Sequence, residues 1–242
     1  MIRNTFVLLL SILLPFLGES QGTSGTIIYE VKINLHQQLT GERERFKEFV
    51  PEFRTVPFAL VFNEKQSVYQ RYEDPAAMVE GRGRRGRFRM MMGGGSTVFR
   101  DFAEQSKVEQ REFMGKNFII TGSLDQKGWK VTGKADQVSG YPCLQATLPD
   151  TANDRTLIAW FTPQVGVPTG PDSYAQLPGL VLKVETDDNS LTITPREIRW
   201  GEVDEKALNA PRRGKEVTQE EYREMVRTTM ETMRRQRGKR GG

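Results

Sequence analysis

Imidazole and thiol are almost missing from this sequence: its 242 residues include one histidine, His36, and one cysteine, Cys143. A disulfide within the chain is therefore excluded, as is a metal site built on several histidines or cysteines. Nucleophilic catalysis of the usual kind would rest on His36 alone. Strong net charge is also lacking, with 35 Lys plus Arg against 31 Asp plus Glu. No apolar run reaches the roughly 20 residues that a spanning helix needs. What remains, 37% hydrophobic and 27% charged residues, is the composition of an ordinary folded domain.

The first twenty residues have the layout of a secretory signal peptide. Arg3 supplies a positive start, Phe6 to Leu17 are apolar apart from Ser11, and Gly18-Glu19-Ser20 offers small residues for cleavage after Ser20 or Gly22. No cysteine follows the cut, so no lipid anchor is expected. The mature chain is therefore expected outside the cytoplasm.

Beyond the signal the dominant period is two. Ile27, Tyr29, Val31, Ile33 and Leu35 alternate with mostly polar neighbours from Thr26 to His36, which predicts a half-buried strand with His36 on its polar side. Val56 to Phe62 and Val68 to Tyr72 flank Asn63-Glu64-Lys65-Gln66 as a hairpin. Eight further short strands are expected at 98–102, 108–114, 117–121, 128–132, 144–148, 156–161, 180–185 and 190–199. Nothing between them has a ten-residue helical face, so the sheet should be mostly antiparallel and lack parallel crossover units. About ten strands in one sheet should curl strongly. The expected fold is mainly β: one strongly curved antiparallel sheet, open half-barrel-like, with a C-terminal amphipathic helix. By analogy with open half-barrel carriers of the periplasm, its concave side would be lined by some of Tyr29, Phe58, Phe62, Trp129, Trp160 and Phe161.

Two segments depart from this body. A disordered basic loop is expected at about 80–96, where Arg82, Arg84, Arg85, Arg87 and Arg89 lie among glycines ahead of Met90, Met91 and Met92. From Pro211 onward the tail holds ten Lys plus Arg against five Glu. There Thr218 and Glu221 form a capping box ahead of Tyr222, Met225, Val226, Met230 and Met233, predicting an amphipathic helix at about 218–236. Positive charge is thus peripheral. The organisation is a signal peptide (1–20), a β domain (21–203) and a basic tail (204–242).

These residues narrow the chemistry. An exported arginine-glycine loop meets little nucleic acid, so Arg82, Arg84, Arg85, Arg87, Arg89, Arg234, Arg235 and Arg237 are assigned to an anionic membrane surface or an envelope protein. The glycine spacing of residues 81–86 follows no strand and opens no helix, so it is not a dinucleotide motif. Copper handling by Met90, Met91 and Met92 with Cys143 is the alternative, since thioethers are soft ligands, although the nearby arginines oppose a cation. No cofactor is expected.

The most distinctive residues are Val138-Ser139-Gly140-Tyr141-Pro142-Cys143-Leu144-Gln145-Ala146-Thr147, Ala159-Trp160-Phe161-Thr162, and the stretch from Gly170-Pro171-Asp172-Ser173-Tyr174 through Gln176-Leu177-Pro178-Gly179-Leu180 to Leu182. Together with Gly25 to Tyr29 as an opening strand, these blocks resemble the GLPGLI family, also called the Porph_ging family. The resemblance implies an exported protein of the periplasm or cell envelope of a Gram-negative bacterium, with no established activity. Gln176 replaces the usual first glycine of the naming motif, which speaks against a positive φ there, and Val181 replaces isoleucine. Cys143, Gly170, Pro171, Leu177, Pro178, Gly179 and Leu180 are the motif positions present. Physically, Gly170-Pro171 sets a turn and Leu177-Pro178-Gly179 ends a loop. That loop either fixes the fold or borders a pocket mouth, with Trp160, Phe161, Tyr174, Leu177, Pro178 and Gly179 as pocket candidates. The functional expectation is a non-catalytic binding or accessory protein with a concave apolar pocket for an apolar small molecule or lipid.

Overall fold

The computed structural model describes residues 22–73, 96–124 and 128–240. Strand β1 (Gly25–Asn34) lies at the centre of the sheet, with Ile27, Tyr29 and Val31 buried on one face and, on the other, Ile28 buried but Lys32 exposed. It pairs on one side with β2 (Phe53–Phe62) and on the other with β11 (Leu191–Trp200). Outward from β2 follow β3 (Gln66–Arg71), β4 (Ser96–Asp101), β5 (Ser106–Phe113) and β6 (Lys116–Ser123). Outward from β11 follow β10 (Leu180–Thr186), β9 (Arg155–Thr162), β8 (Tyr141–Asp150) and β7 (Lys130–Val138). A short β12 (Lys215–Val217) adds to β6 in parallel, and α1 (Gln219–Arg240) follows it. The result is one 12-stranded sheet, with β12 and β7 as its two edges.

Long-range contacts reveal how far this sheet curls. Three strand spacings separate β11 from β8, about 14 Å on a flat sheet. Yet Trp200 Nε1 donates to Tyr141 Oη at 2.6 Å, with ring centroids 5.7 Å apart. The concave side is filled by the segment 163–179, which crosses from β9 to β10. Val165, Val167, Ala175 and Leu177 on it join Tyr29, Leu60, Phe62, Tyr69 and Phe161 in the principal core. Tyr29 Oη donates to Val181 O at 2.6 Å, and Thr169 Oγ1 donates to Ser67 Oγ at 2.9 Å.

The strongly curved antiparallel sheet with a C-terminal helix is therefore as the alternation predicts. Asn63 builds the expected hairpin by accepting from the backbone N–H of Lys65 and Gln66 at 2.9 and 2.8 Å. The capping box is formed as well, with Glu221 N donating to Thr218 Oγ1 at 3.1 Å and Thr218 N to Glu221 Oε2 at 2.7 Å.

Some local expectations need correcting. The first strand stops at Asn34, whose Oδ1 accepts from His36 N and Gln37 N and turns the chain into a short 3-10 segment. His36 is half-buried there, its Nε2 2.8 Å from Val50 O. A second 3-10 segment, Gly41–Phe49, has no buried residue and gave no periodic signal. β7 runs on to Val138, well past the expected 128–132, because as an edge strand its side chains are almost all exposed and need no apolar alternation. β12, three residues long, was too short to read.

Candidate functional site

The concave face carries a cavity of about 280 Å³. Its floor follows from the register. Ile193, Val31 and Val56 form one row across β11, β1 and β2, and Leu191, Ile33 and Arg54 form the next. Phe58, opposite Arg71 on β3, completes the apolar part and stacks on Tyr69 at 5.0 Å between centroids with planes 4° apart. Asp172 and Tyr174, from the segment 163–179, close one side.

The polar wall comes from β3, β4 and β5. The β3–β4 ladder ends at the pair Tyr69 and Val98, beyond which Arg71 and Ser96 line the same cavity, and Ser96 pairs with Arg111 on β5. Arg111 is held by two acids: it donates to Glu109 Oε2 at 2.9 Å and to Asp172 Oδ1 at 2.9 Å. Lys107 also contacts Glu109, at 3.0 Å. Burial works against the charge on Arg111, but Asp172 and Glu109 outweigh it and raise its pKa. Burial likewise disfavours the Glu109 carboxylate, yet Arg111 and Lys107 hold its pKa below the ordinary value.

Arg100 lies deeper, only 2% exposed, and donates through Nη2 to the backbone oxygen of Asp172. Burial pushes its pKa down to about 10, partly offset by Asp172 and Glu109. Asp172 itself adopts φ +44, a left-handed conformation that Asp tolerates better than most residues, and its carbonyl and carboxylate engage two different arginines. Among the described residues, Ser96 Oγ and Arg100 Nη1 are buried without a hydrogen-bond partner.

Of the pocket candidates named from sequence, Tyr174 lines this cavity; burial pushes its hydroxyl up to about 12, with Asp172 adding to the shift. Phe161 is instead fully buried in the core, Leu177 is 3% exposed, and Pro178 faces outward. Trp160 sits half-buried and donates to Glu185 Oε1 at 3.2 Å. Among the concave aromatics, Phe58 lines the cavity, Tyr29 and Phe62 belong to the core, and Trp129 donates to Ala175 O at 3.2 Å.

Gly170 and Gly179 report close backbone approach. A Cβ on Gly170 would lie 2.2 Å from Tyr174 O and 2.6 Å from Val181 Cβ; one on Gly179, at φ +149, would lie 2.2 Å from Thr162 O. Pro171 and Leu180 are buried beside them. Gln176 has φ +69 despite its side chain, so the backbone does take the glycine-favouring conformation at that position.

Cys143 is buried, and burial raises its thiol to about 11. No group of three or more His, Cys, Asp or Glu residues that could hold a metal forms among the described residues. Arg235 is exposed. The side chains of Arg234 and Arg237 lie outside the described set, as do the signal segment, Arg82, Arg84, Arg85, Arg87, Arg89, Met90, Met91 and Met92. A second cavity of about 420 Å³ lies between β5, β6 and α1, and Arg111 borders both. The charged row on β4 and β5 escaped sequence reading because Arg100, Glu109 and Arg111 look like the wet side of a strand until the register turns them inward.

The class defined by this architecture is an open, curled antiparallel sheet whose hollow is plugged by an irregular crossing segment. Residues 149–183, from the end of β8 to the middle of β10, match the family model described as "Protein of unknown function (Porph_ging)". This agrees with the resemblance carried by the Trp160-Phe161 and Gly170 to Leu182 blocks.

Among solved structures the chain is similar to PNGF-II. Against "Structure of PNGF-II in P21 space group" the TM-score is 0.56 at 13% identity, covering 85% of this chain and 33% of that one. Against "Structure of PNGF-II in C2 space group" it is 0.55 at 14%, covering 84% and 32%. The chain thus spans about a third of the PNGF-II chain, and at this identity the likeness concerns the fold alone. No curated protein matches the chain. No helix among the described residues is long and apolar enough to cross a membrane.

Proposed function

We propose that this chain is a non-catalytic binding module of the cell envelope that holds a small, largely apolar molecule in the cavity on the concave side of its sheet. The observation that supports this most is the make-up of the cavity, a floor of two ladder rows that is apolar apart from Arg54, walled by a few polar groups. Small ligands settle in concavities of that kind. At about 280 Å³ it falls just below the roughly 300–1,000 Å³ of drug-sized sites, so its occupant is small. The titratable groups also favour holding over proton transfer. Tyr174 is pushed up to about 12 and Arg111 is kept charged by its two acids, whereas acid–base catalysis uses groups tuned toward the working pH.

The envelope setting is supported by the export pattern of residues 1–20 and by the family resemblance. The basic end of α1, where Arg235 is exposed, is the proposed contact with an anionic surface. Metal handling has less support, because burial of Cys143 disfavours the thiolate that ligation needs.

Native mass spectrometry of protein purified from its own envelope, followed by organic extraction, tests the proposal. A bound small molecule is expected in the wild type and none in a folded Val56→Trp variant, which fills the cavity. Stoichiometric copper in its place, or the same empty spectrum from both proteins, would overturn the assignment.

A further inference from the structure

Every cation that lines the cavity among the described residues is an arginine, Arg54 on the floor and Arg71 and Arg111 on the wall. Arg71 pairs with Phe58 and Ser96 with Arg111, and all four line the cavity. Arg111 is already matched by Glu109 and Asp172. Arg71 borders the same cavity with no ion pair among the described residues. Ser96 Oγ, on the lining of the same cavity, is buried and lacks a partner among those residues. A cation without an ion pair and a hydroxyl without a partner among the described residues, on the border of one largely apolar hollow, form half of a charge-assisted hydrogen-bond set. Among the described residues Asp172 is the only acid that lines the cavity, and its carboxylate is engaged by Arg111.

We infer that the cavity binds a single-chain amphiphile, its anionic oxyacid head on Arg71 and Ser96 and its short apolar tail over Phe58, Val56, Val31 and Ile193. This rests on the binding role proposed above and specifies its ligand. Arg71 supplies a planar fork suited to a carboxylate or phosphate, and Ser96 donates one further hydrogen bond. The space of about 280 Å³ holds roughly nine water-sized groups, which sets the tail at about eight carbons rather than a full membrane acyl chain.

Isothermal titration of the intact exported chain with octanoate, octyl phosphate, octanol and acetate separates head from tail. Octanoate or octyl phosphate should bind at least tenfold more tightly than octanol, and acetate should not bind measurably. Whichever anion is preferred distinguishes a fatty-acid-like ligand from a phosphorylated one. Arg71→Gln should weaken the preferred anion about tenfold, the scale of one charge-assisted hydrogen bond, and leave octanol unchanged. Ser96→Ala should act in the same direction, only less. Equal affinity of octanoate, octyl phosphate and octanol for the wild type would overturn the head-group assignment while leaving an apolar site standing, and that comparison needs no variant to fold. Binding by none of the tail-bearing probes would overturn the binding role and this assignment together.

Discussion

The segment 163–179 and helix α1 sit at opposite poles of order and burial. The crossing segment contains no regular element, yet Val165, Val167, Thr169, Gly170, Pro171, Ala175 and Leu177 are all buried. The helix is regular over Gln219–Arg240, but Tyr222, Met225 and Val226 are only half-buried and Met230 is 48% exposed. A helix satisfies its own backbone and can rest on the surface, whereas an irregular chain must find partners wherever it is buried. The crossing segment finds them: Val181 N donates to Thr169 O at 2.9 Å, Tyr174 N to Pro171 O at 2.9 Å, and Gln176 N to Pro168 O at 3.2 Å. Regularity and contribution to stability are therefore separate properties in this molecule.

The sharpest way to break the comparison is to put a side chain where the crossing segment touches β10. Gly170→Val places a Cβ 2.2 Å from Tyr174 O and 2.6 Å from Val181 Cβ, so backbone must move. A loss of about 3 kcal/mol or more is expected from such overpacking, read as a collapse of the urea midpoint. An unchanged midpoint would mean that the segment is not seated on the sheet.

Next in size is the acid limb. Glu109 has a depressed folded pKa, so its contribution is complete above the ordinary value of 4.5 and fades as pH falls through the folded value. Glu109→Gln should cost about 2 kcal/mol at pH 7 and flatten the loss of stability below pH 4.5. Equal acid sensitivity in both proteins would assign that limb to other carboxylates.

On the helical side, Tyr222 meets Phe118 and Phe113 edge-on at 5.7 and 6.5 Å. Tyr222→Ala should cost only about 1 kcal/mol, with the far-ultraviolet spectrum of the sheet kept. A loss as large as that of Gly170→Val would erase the contrast between the two regions.

Much of this fold was readable from residues alone. Where one face of a strand is dry, as with Ile27, Tyr29 and Val31, alternation reports it directly. β7 and the 3-10 segment Gly41–Phe49 bury almost nothing, so they leave no period to find. The candidate site was harder for a different reason. Arg71, Ser96 and Arg111 lie far apart in sequence, and only the folding of the sheet brings them to one cavity. Their polarity reads as solvent-facing, although the curl of the sheet places them beside Phe58. The motif residues stood out through Gly and Pro, which report backbone geometry. Gly170 and Gly179 accordingly mark close contacts, while Tyr174 between them reaches the cavity.

The smallest expected effect concerns Gln176, where the crossing segment departs from the family's glycine. Its φ of +69 is left-handed, a conformation that costs an L-residue about 1–2 kcal/mol. Its Nε2 is also buried without a partner among the described residues. Gln176→Gly removes both penalties but gives the unfolded chain more freedom, a loss of about 0.5–1 kcal/mol. From the backbone alone the net should be a gain of about 0.5–1 kcal/mol, visible as a higher urea midpoint at an unchanged slope. Gln176→Ala separates the two causes, because it discards the amide and keeps the strained backbone. If alanine stabilises as much as glycine, the buried amide is the burden and the backbone is not. If glycine destabilises, the Gln176 side chain helps to hold the crossing segment, and strain there is outweighed by packing.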